Sequence, residues 1–324
     1  MRYFTNQFEF EQYEYKKNLK KDMNIAGGFL ITNHIVMNIV VIILIISMGL
    51  IKTTLDDTTL LMLMNGFISI VAFFLSGLIY CKFAKVKIAD IIHFDKCKFS
   101  FIVPLCLMGL SIAMISNYFS SAVMGLFDMF GVNADASLEY QYNSIYDIII
   151  FYISVAIVPA CVEEFAFRGI ILGILRKHSD GLAILVSSIM FGLMHGNFMQ
   201  IPFAFVVGLI LGYMTVKTNS MLPAIIVHFL NNAISVTFSL LTENKNLPIE
   251  IVNIIYSIIM IAVAVSGIIS FIMLIKKHKG LFVLRKTEKI ITYKEQVKIF
   301  VTSPTMIIFT ILIIYEAILA LQVG

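Results

Sequence analysis

Uninterrupted apolar runs of about 20 residues recur along this chain, each long enough to cross the roughly 30 Å hydrocarbon core of a bilayer as a helix. Nine can be drawn: approximately Gly27 to Ile51, Leu60 to Cys81, Phe101 to Leu126, Ile145 to Val162 and onward, Leu182 to His195, Phe198 to Val216, Met221 to Leu241, Ile251 to Ile275, and Pro304 to Val323. None has the period-two alternation of barrel strands, so the backbone is predicted to satisfy its hydrogen bonds within helices. The expected fold class is an all-α polytopic membrane protein of about nine transmembrane helices. Composition agrees: of 324 residues, 59% are hydrophobic and 14% charged, and the mean hydropathy is +0.93. A soluble globular domain carries far more charge.

The Lys and Arg residues set the expected orientation. With the N-terminus cytoplasmic, 21 of the 24 basic residues fall on the inner side. Only Lys52 and Lys245 fall outside, and Arg168 lies within a span. This asymmetry predicts a cytoplasmic N-terminus and a C-terminus outside. The formal net charge of +4 is modest and the basic residues sit between apolar segments, which leaves no face for nucleic acid. The outer loop carrying Asp128, Asp135 and Glu139 has no Lys or Arg, as the same topology requires.

The chain divides into a cytoplasmic N-terminal segment (1–26), three transmembrane helices (27–126), a central helix bundle (145–241), and two further helices (251–324) joined by a basic stretch (276–298). That stretch is partly amphipathic and is predicted to lie on the inner membrane surface against anionic lipid. The first apolar run is too long for a signal-peptide core, so no cleaved leader is expected. Cys81, Cys97, Cys106 and Cys161 have no CxxC spacing, which argues against disulfides or a thiolate metal site and for packing roles.

An ionisable side chain within a bilayer costs several kcal/mol unless it is paired or faces water. Three segments of the central bundle carry such residues together. In Glu163-Glu164-Phe165-Ala166-Phe167-Arg168, helical spacing places Arg168 one turn after Glu164, where the two neutralise each other. Glu163 is rotated about 100° away and keeps no local partner. His195 closes Phe191-Gly192-Leu193-Met194-His195; a lone membrane histidine often only bonds a carbonyl. In His228-Phe229-Leu230-Asn231-Asn232, His228 and Asn232 share a face, while Asn231 is expected to point elsewhere. At 1.5 Å per residue, Glu163 lies about 20 Å, His195 about 21 Å and His228 about 10 Å from the cytoplasmic ends of their segments. One carboxylate, two imidazoles and a carboxamide facing one cavity form the inventory of hydrolysis.

Other polar residues in the apolar segments carry less. His34 and Asn38 lie one turn apart with no carboxylate in sequence reach, which predicts a helix–helix hydrogen bond. Glu316 is read as isolated near the outer surface, and His93, His178 and His278 as solvated in cytoplasmic loops.

Taken in order as EExxxR, FxxxH and HxxxN, the three motifs resemble the signature of the CPBP family of intramembrane proteases: CAAX-prenyl-type proteases and bacteriocin-processing or immunity proteins, also called the Abi family. The resemblance covers roughly Ile145 to Leu241. It implies Glu163 as the general base that activates water, with Glu164 and Arg168 supporting it as an ion pair. It further implies that His195 positions the water or acts with the base, and that His228 and Asn232 stabilise the oxyanion.

The family is described both as metallo- and as glutamic proteases. Glu163, His195 and His228 are a conceivable zinc set with an open position, whereas the lack of HExxH and the presence of the Asn suit a metal-free route, which is preferred here. The implied setting is the lipid bilayer of a bacterial cell membrane, and the implied partner a peptide or membrane-protein substrate. Richness in Ile, Asn and Lys points to an A+T-rich genome, hence to a leader peptide, a bacteriocin or a membrane protein more than to a prenylated substrate. Two competing classes are a non-catalytic bacteriocin immunity or partner-binding protein that keeps the fold, and a solute transporter. The second would need two inverted halves, and none is seen.

Overall fold

The computed structural model describes residues 6–50, 57–133, 144–244, 246–285, 290–319 and 321–323. Lys52, Asp135, Glu139 and Lys245, which entered the charge argument, lie outside the described residues, as do Arg2, Lys286 and Lys289.

Ten principal helices are described: α1 (Gln7–Leu50), α2 (Asp57–Ala84), α3 (Phe99–Met129), α4 (Ile145–Arg176), α5 (Asp180–Met194), α6 (Gln200–Thr218), α7 (Leu222–Glu243), α8 (Ile249–Lys277), α9 (Tyr293–Val301) and α10 (Pro304–Leu319). A single turn at Ile88–Ile91 precedes α3. Among the described residues the fold is all-α except for an isolated bridge between Phe94 and Ser220 and a two-residue antiparallel pairing of Val132–Asn133 with Gln322–Val323, which joins the end of α3 to the C-terminal residues.

Among the described residues seven helices are long and apolar enough to cross a membrane, and α9 with α10, bent by 59° at Thr302–Ser303, brings the number to eight if the pair is counted as one span. The remaining expected segment is α5, whose 15 residues reach only about 22 Å. It packs tightly against α6 at the middle of the bundle, where most of its side chains are buried. Around this centre, α8 lies on α3, α1 lies on α2, and α10 lies on α1. The outer helices turn isoleucines outward: Ile254, Ile258 and Ile261 of α8 are each more than half exposed. Apolar faces of that size are suited to lipid and not to water.

Residues from Gln7 onward form the first turns of α1. Leu19, Met23, Ala26 and Leu30 are fully buried there, on a helical stripe masked in the sequence by the lysines between them. Lys16 reaches Glu295 on α9 at 2.7 Å, so this extension is tied to the basic connection. His178 is not solvated: it is buried, with Nε2 2.6 Å from Asp22 Oδ2 and its ring edge-on to Tyr15. Glu316 is not isolated, and His34 does not lack a carboxylate; Glu316 Oε1 lies 3.0 Å from His34 Nε2, which also contacts Asn38 Nδ2 at 3.0 Å.

The basic connection folds back on the bundle end. Lys217 Nζ donates to Gly280 O and Val283 O, Tyr213 Oη donates to Leu281 O, and the Arg285 amide donates to Asp180 Oδ2. The four cysteines are unpaired, with Cys81 buried and Cys161 exposed.

Close approach of α1 to α10 rests on a residue without a side chain. A Cβ at Gly27 would stand 2.5 Å from Thr305 Oγ1 and 2.9 Å from the Met306 amide nitrogen. Gly27→Ala is therefore expected to force the two helices apart and destabilise the fold by about 1–3 kcal/mol. Thermal unfolding in detergent, followed by circular dichroism, checks this; an unchanged midpoint would show that the contact relaxes without loss.

Candidate active site

The site is built on α4, and α4 is irregular for a reason visible in its sequence. Pro159 has no N–H to donate to the carbonyl of Val155 four residues earlier. The helix widens just before it into a π-helical turn at Tyr152–Ile157, and Val155 O accepts a hydrogen bond from outside, from Asn232 Nδ2 of α7 at 3.2 Å. A second π-helical turn follows at Phe165–Ile171. The two carboxylates thus end a short α-helical piece, Val158–Glu164, framed by two wide turns. Such turns recur at functional sites because they re-aim side chains within a continuous helix.

Glu164 is wholly buried and is the hub. Its Oε1 accepts from Arg168 Nη1 at 2.9 Å, the pairing expected from spacing, and also lies 2.9 Å from His228 Nδ1 on α7. Because a carboxylate only accepts, His228 carries a proton on Nδ1. Its Nε2 is thereby turned towards Glu163, whose Oε2 is 3.8 Å away. That separation is too long for a hydrogen bond and suited to a molecule between the two. Glu163 keeps 22% of its side chain exposed, so its carboxylate opens towards accessible space while Glu164 is sealed in.

Arg168 is held on three sides. Besides Glu164, its Nη2 donates to Gly208 O of α6 at 3.3 Å, and its guanidinium lies 4.4 Å from the centre of the Phe191 ring. The carbonyl of Gly208 is within reach because α6 approaches α5 so closely that a Cβ at Gly208 would meet Ser188 Cα at 3.0 Å. Phe191 is the shared wall of the site: the rings of His195 and His228 both stand edge-on to it, with centroids 5.0 and 5.8 Å away. His195 Nδ1 lies 2.8 Å from Phe191 O, a bond that puts the proton on Nδ1 and leaves Nε2 free to accept.

Six candidate residues thus fall in two degrees of proximity. Glu163, Glu164, Arg168 and His228 are in direct contact or nearly so. His195 joins through Phe191, and Asn232 through its bond to the α4 backbone one turn beyond His228. Asn231 does not simply point away, as spacing suggested. It is buried, and its Nδ2 donates to Asn232 Oδ1 at 3.3 Å. Phe191, the first residue of FxxxH, was given no role by the sequence reasoning, and Gly208 lies outside all three motifs.

Glu163, His195 and His228 do not assemble as a metal set. No group of three or more His, Cys, Asp or Glu side chains among the described residues is arranged to hold a metal ion. His228 Nδ1 is engaged by Glu164, which leaves Nε2 as the one ring nitrogen turned to the site.

Residues 145–234, the segment that contributes all six side chains, match the family model described as type II CAAX prenyl endopeptidase Rce1-like. The chain is also 32% identical over 166 residues to the membrane-embedded CAAX protease MroQ of Staphylococcus aureus (strain USA300), an alignment covering 49% of this chain and 67% of that protein. No solved structure matches it. With its apolar helices and the Arg168, His195 and His228 of the three motifs set around Phe191, this chain is an integral membrane protein that belongs to the CAAX protease family.

Proposed function

We propose that this protein is an intramembrane endopeptidase that cuts a membrane-associated or secreted peptide by a Glu-activated water. The observation that carries the reading is the division of labour between adjacent carboxylates. Glu164 is buried and saturated by Arg168 and His228, whereas Glu163 is accessible and has His228 Nε2 opposite it at 3.8 Å. A purely structural cluster has no use for the second carboxylate.

In this mechanism a water stands between Glu163, His195 and the scissile carbonyl. Glu163 takes one proton as the water oxygen attacks the carbonyl carbon, while His195 Nε2 accepts from the other water proton and holds its direction. The carbonyl electron pair moves to oxygen, which receives hydrogen bonds from Asn232 Nδ2–H and His228 Nε2–H. In this step His228 donates from both ring nitrogens, Nδ1–H to Glu164 and Nε2–H to the oxyanion. The tetrahedral intermediate then collapses, the C–N bond breaks, and Glu163 returns its proton to the leaving amine.

The test of function is a comparison of membrane and secreted peptides between cells producing the wild type and cells producing Glu163→Gln. A peptide whose intact form accumulates and whose fragments vanish in the variant is the substrate. Identical peptide profiles would overturn the proposal and favour a binding role. The purified protein in lipid is expected to keep its activity, within about twofold, after dialysis against EDTA or 1,10-phenanthroline, with no stoichiometric metal by elemental analysis. Loss on chelation with recovery on zinc addition would overturn the metal-free route.

A further inference from the structure

We propose that Asn231 is a positioning residue that fixes which end of the Asn232 amide faces the reacting carbonyl; the inference rests on the oxyanion role given to Asn232 above. A carboxamide has two ends of nearly the same shape and opposite polarity. Only Nδ2 can donate to an oxyanion, and a flipped amide would set a carbonyl oxygen against the developing negative charge. Two contacts bear on the choice. Val155 O can only accept, and it takes one hydrogen of Asn232 Nδ2 at 3.2 Å. Asn231 Nδ2 can only donate, and it gives a hydrogen to Asn232 Oδ1 at 3.3 Å. Both select the same orientation, and they leave the second hydrogen of Asn232 Nδ2 for the site.

The burial of Asn231 supports the assignment. The residue is only 5% exposed, and its own Oδ1 has no hydrogen-bond partner among the described residues. An amide whose acceptor end is buried without a partner is unfavourable where a leucine would fill the space. Its donor end is the part that makes a bond, and that bond goes to Asn232. The pairing also spans one helix only, because Asn231 and Asn232 are neighbours on α7, so its geometry is set by backbone that the bond to Val155 holds against α4.

The experiment uses full-length protein in phospholipid vesicles and a quenched-fluorescence peptide carrying the cleavage site mapped with Glu163→Gln. Asn231→Leu is expected to lower kcat about 10- to 100-fold with KM within about twofold, since substrate binding is untouched and the oxyanion contact becomes intermittent. Asn231→Asp places an acceptor against Asn232 Oδ1 and is expected to be at least as slow. The reading specific to positioning is non-additivity: Asn231→Leu combined with Asn232→Ala should be no slower than Asn232→Ala alone. Should Asn231→Leu fail to fold in detergent, Asn231→Asp and its double variant carry the same comparison. Wild-type kcat in the Asn231 variants, or losses that multiply in the double variant, would overturn the inference while leaving the oxyanion role intact. A fully active Asn232→Ala would overturn both.

Discussion

Glu163→Gln is expected to lower kcat for peptide cleavage by about 10²- to 10⁴-fold, the range associated with a positioned general base, without lowering the thermal unfolding midpoint. The two halves of this expectation come from the same geometry. Glu163 makes no ion pair within normal bonding distance, its nearest charged partner being His228 Nε2 at 3.8 Å, and it is partly exposed. A neutral amide of the same shape therefore leaves no buried charge uncompensated. What it removes is the ability to accept a proton. Glu164→Gln makes the contrasting case, because Glu164 Oε1 holds both Arg168 and His228. That change should lower activity and stability together. The pair is measured by peptide turnover in vesicles and by circular dichroism melting. An active Glu163→Gln beside a folded but inactive Glu164→Gln would mean that the roles of the two carboxylates are reversed.

The spans were legible because a bilayer imposes a length and a composition that few other solvents impose, so apolar runs such as Ile251 to Ile275 declare themselves. The Glu164–Arg168 pair was legible because the bond lies within one helical turn. What joins the site across the chain was not. His228 meets Glu164 over 64 positions of sequence, and only a shared depth suggested that they could meet. The same is true of His34 with Glu316 and of His178 with Asp22, which sequence order leaves far apart and packing brings together. Leu19 and Met23 were hidden by the charged residues around them, because a stripe can be apolar when its helix is not. One non-local feature did have a local sign: Pro159 withholds a donor from Val155 O, and that carbonyl is the one that anchors Asn232.

The largest loss of stability is expected from Arg168→Met, about 3–5 kcal/mol, because removing one member of a buried ion pair leaves the other charge uncompensated. Arg168 and Glu164 side chains are both fully buried, and the guanidinium also donates to Gly208 O and stacks on Phe191. Methionine keeps volume and apolar contact with the ring but abandons Glu164 to His228 alone. Arg168→Lys keeps the charge, yet one ammonium cannot reproduce the planar fork that spans Glu164 and Gly208, so an intermediate loss is expected. The double variant Glu164→Leu with Arg168→Met removes both charges, and much of the stability should return, as it does when buried pairs are replaced by apolar residues of similar size. Activity should not return, since His228 then has no carboxylate to hold its Nδ1 proton and direct Nε2 towards Glu163. Melting midpoints and peptide turnover for the four proteins separate the two functions of the pair. A double variant as unstable as Arg168→Met would place the stability in the hydrogen bond to Gly208 and the contact with Phe191. One that is both stable and active would remove the pair from the mechanism.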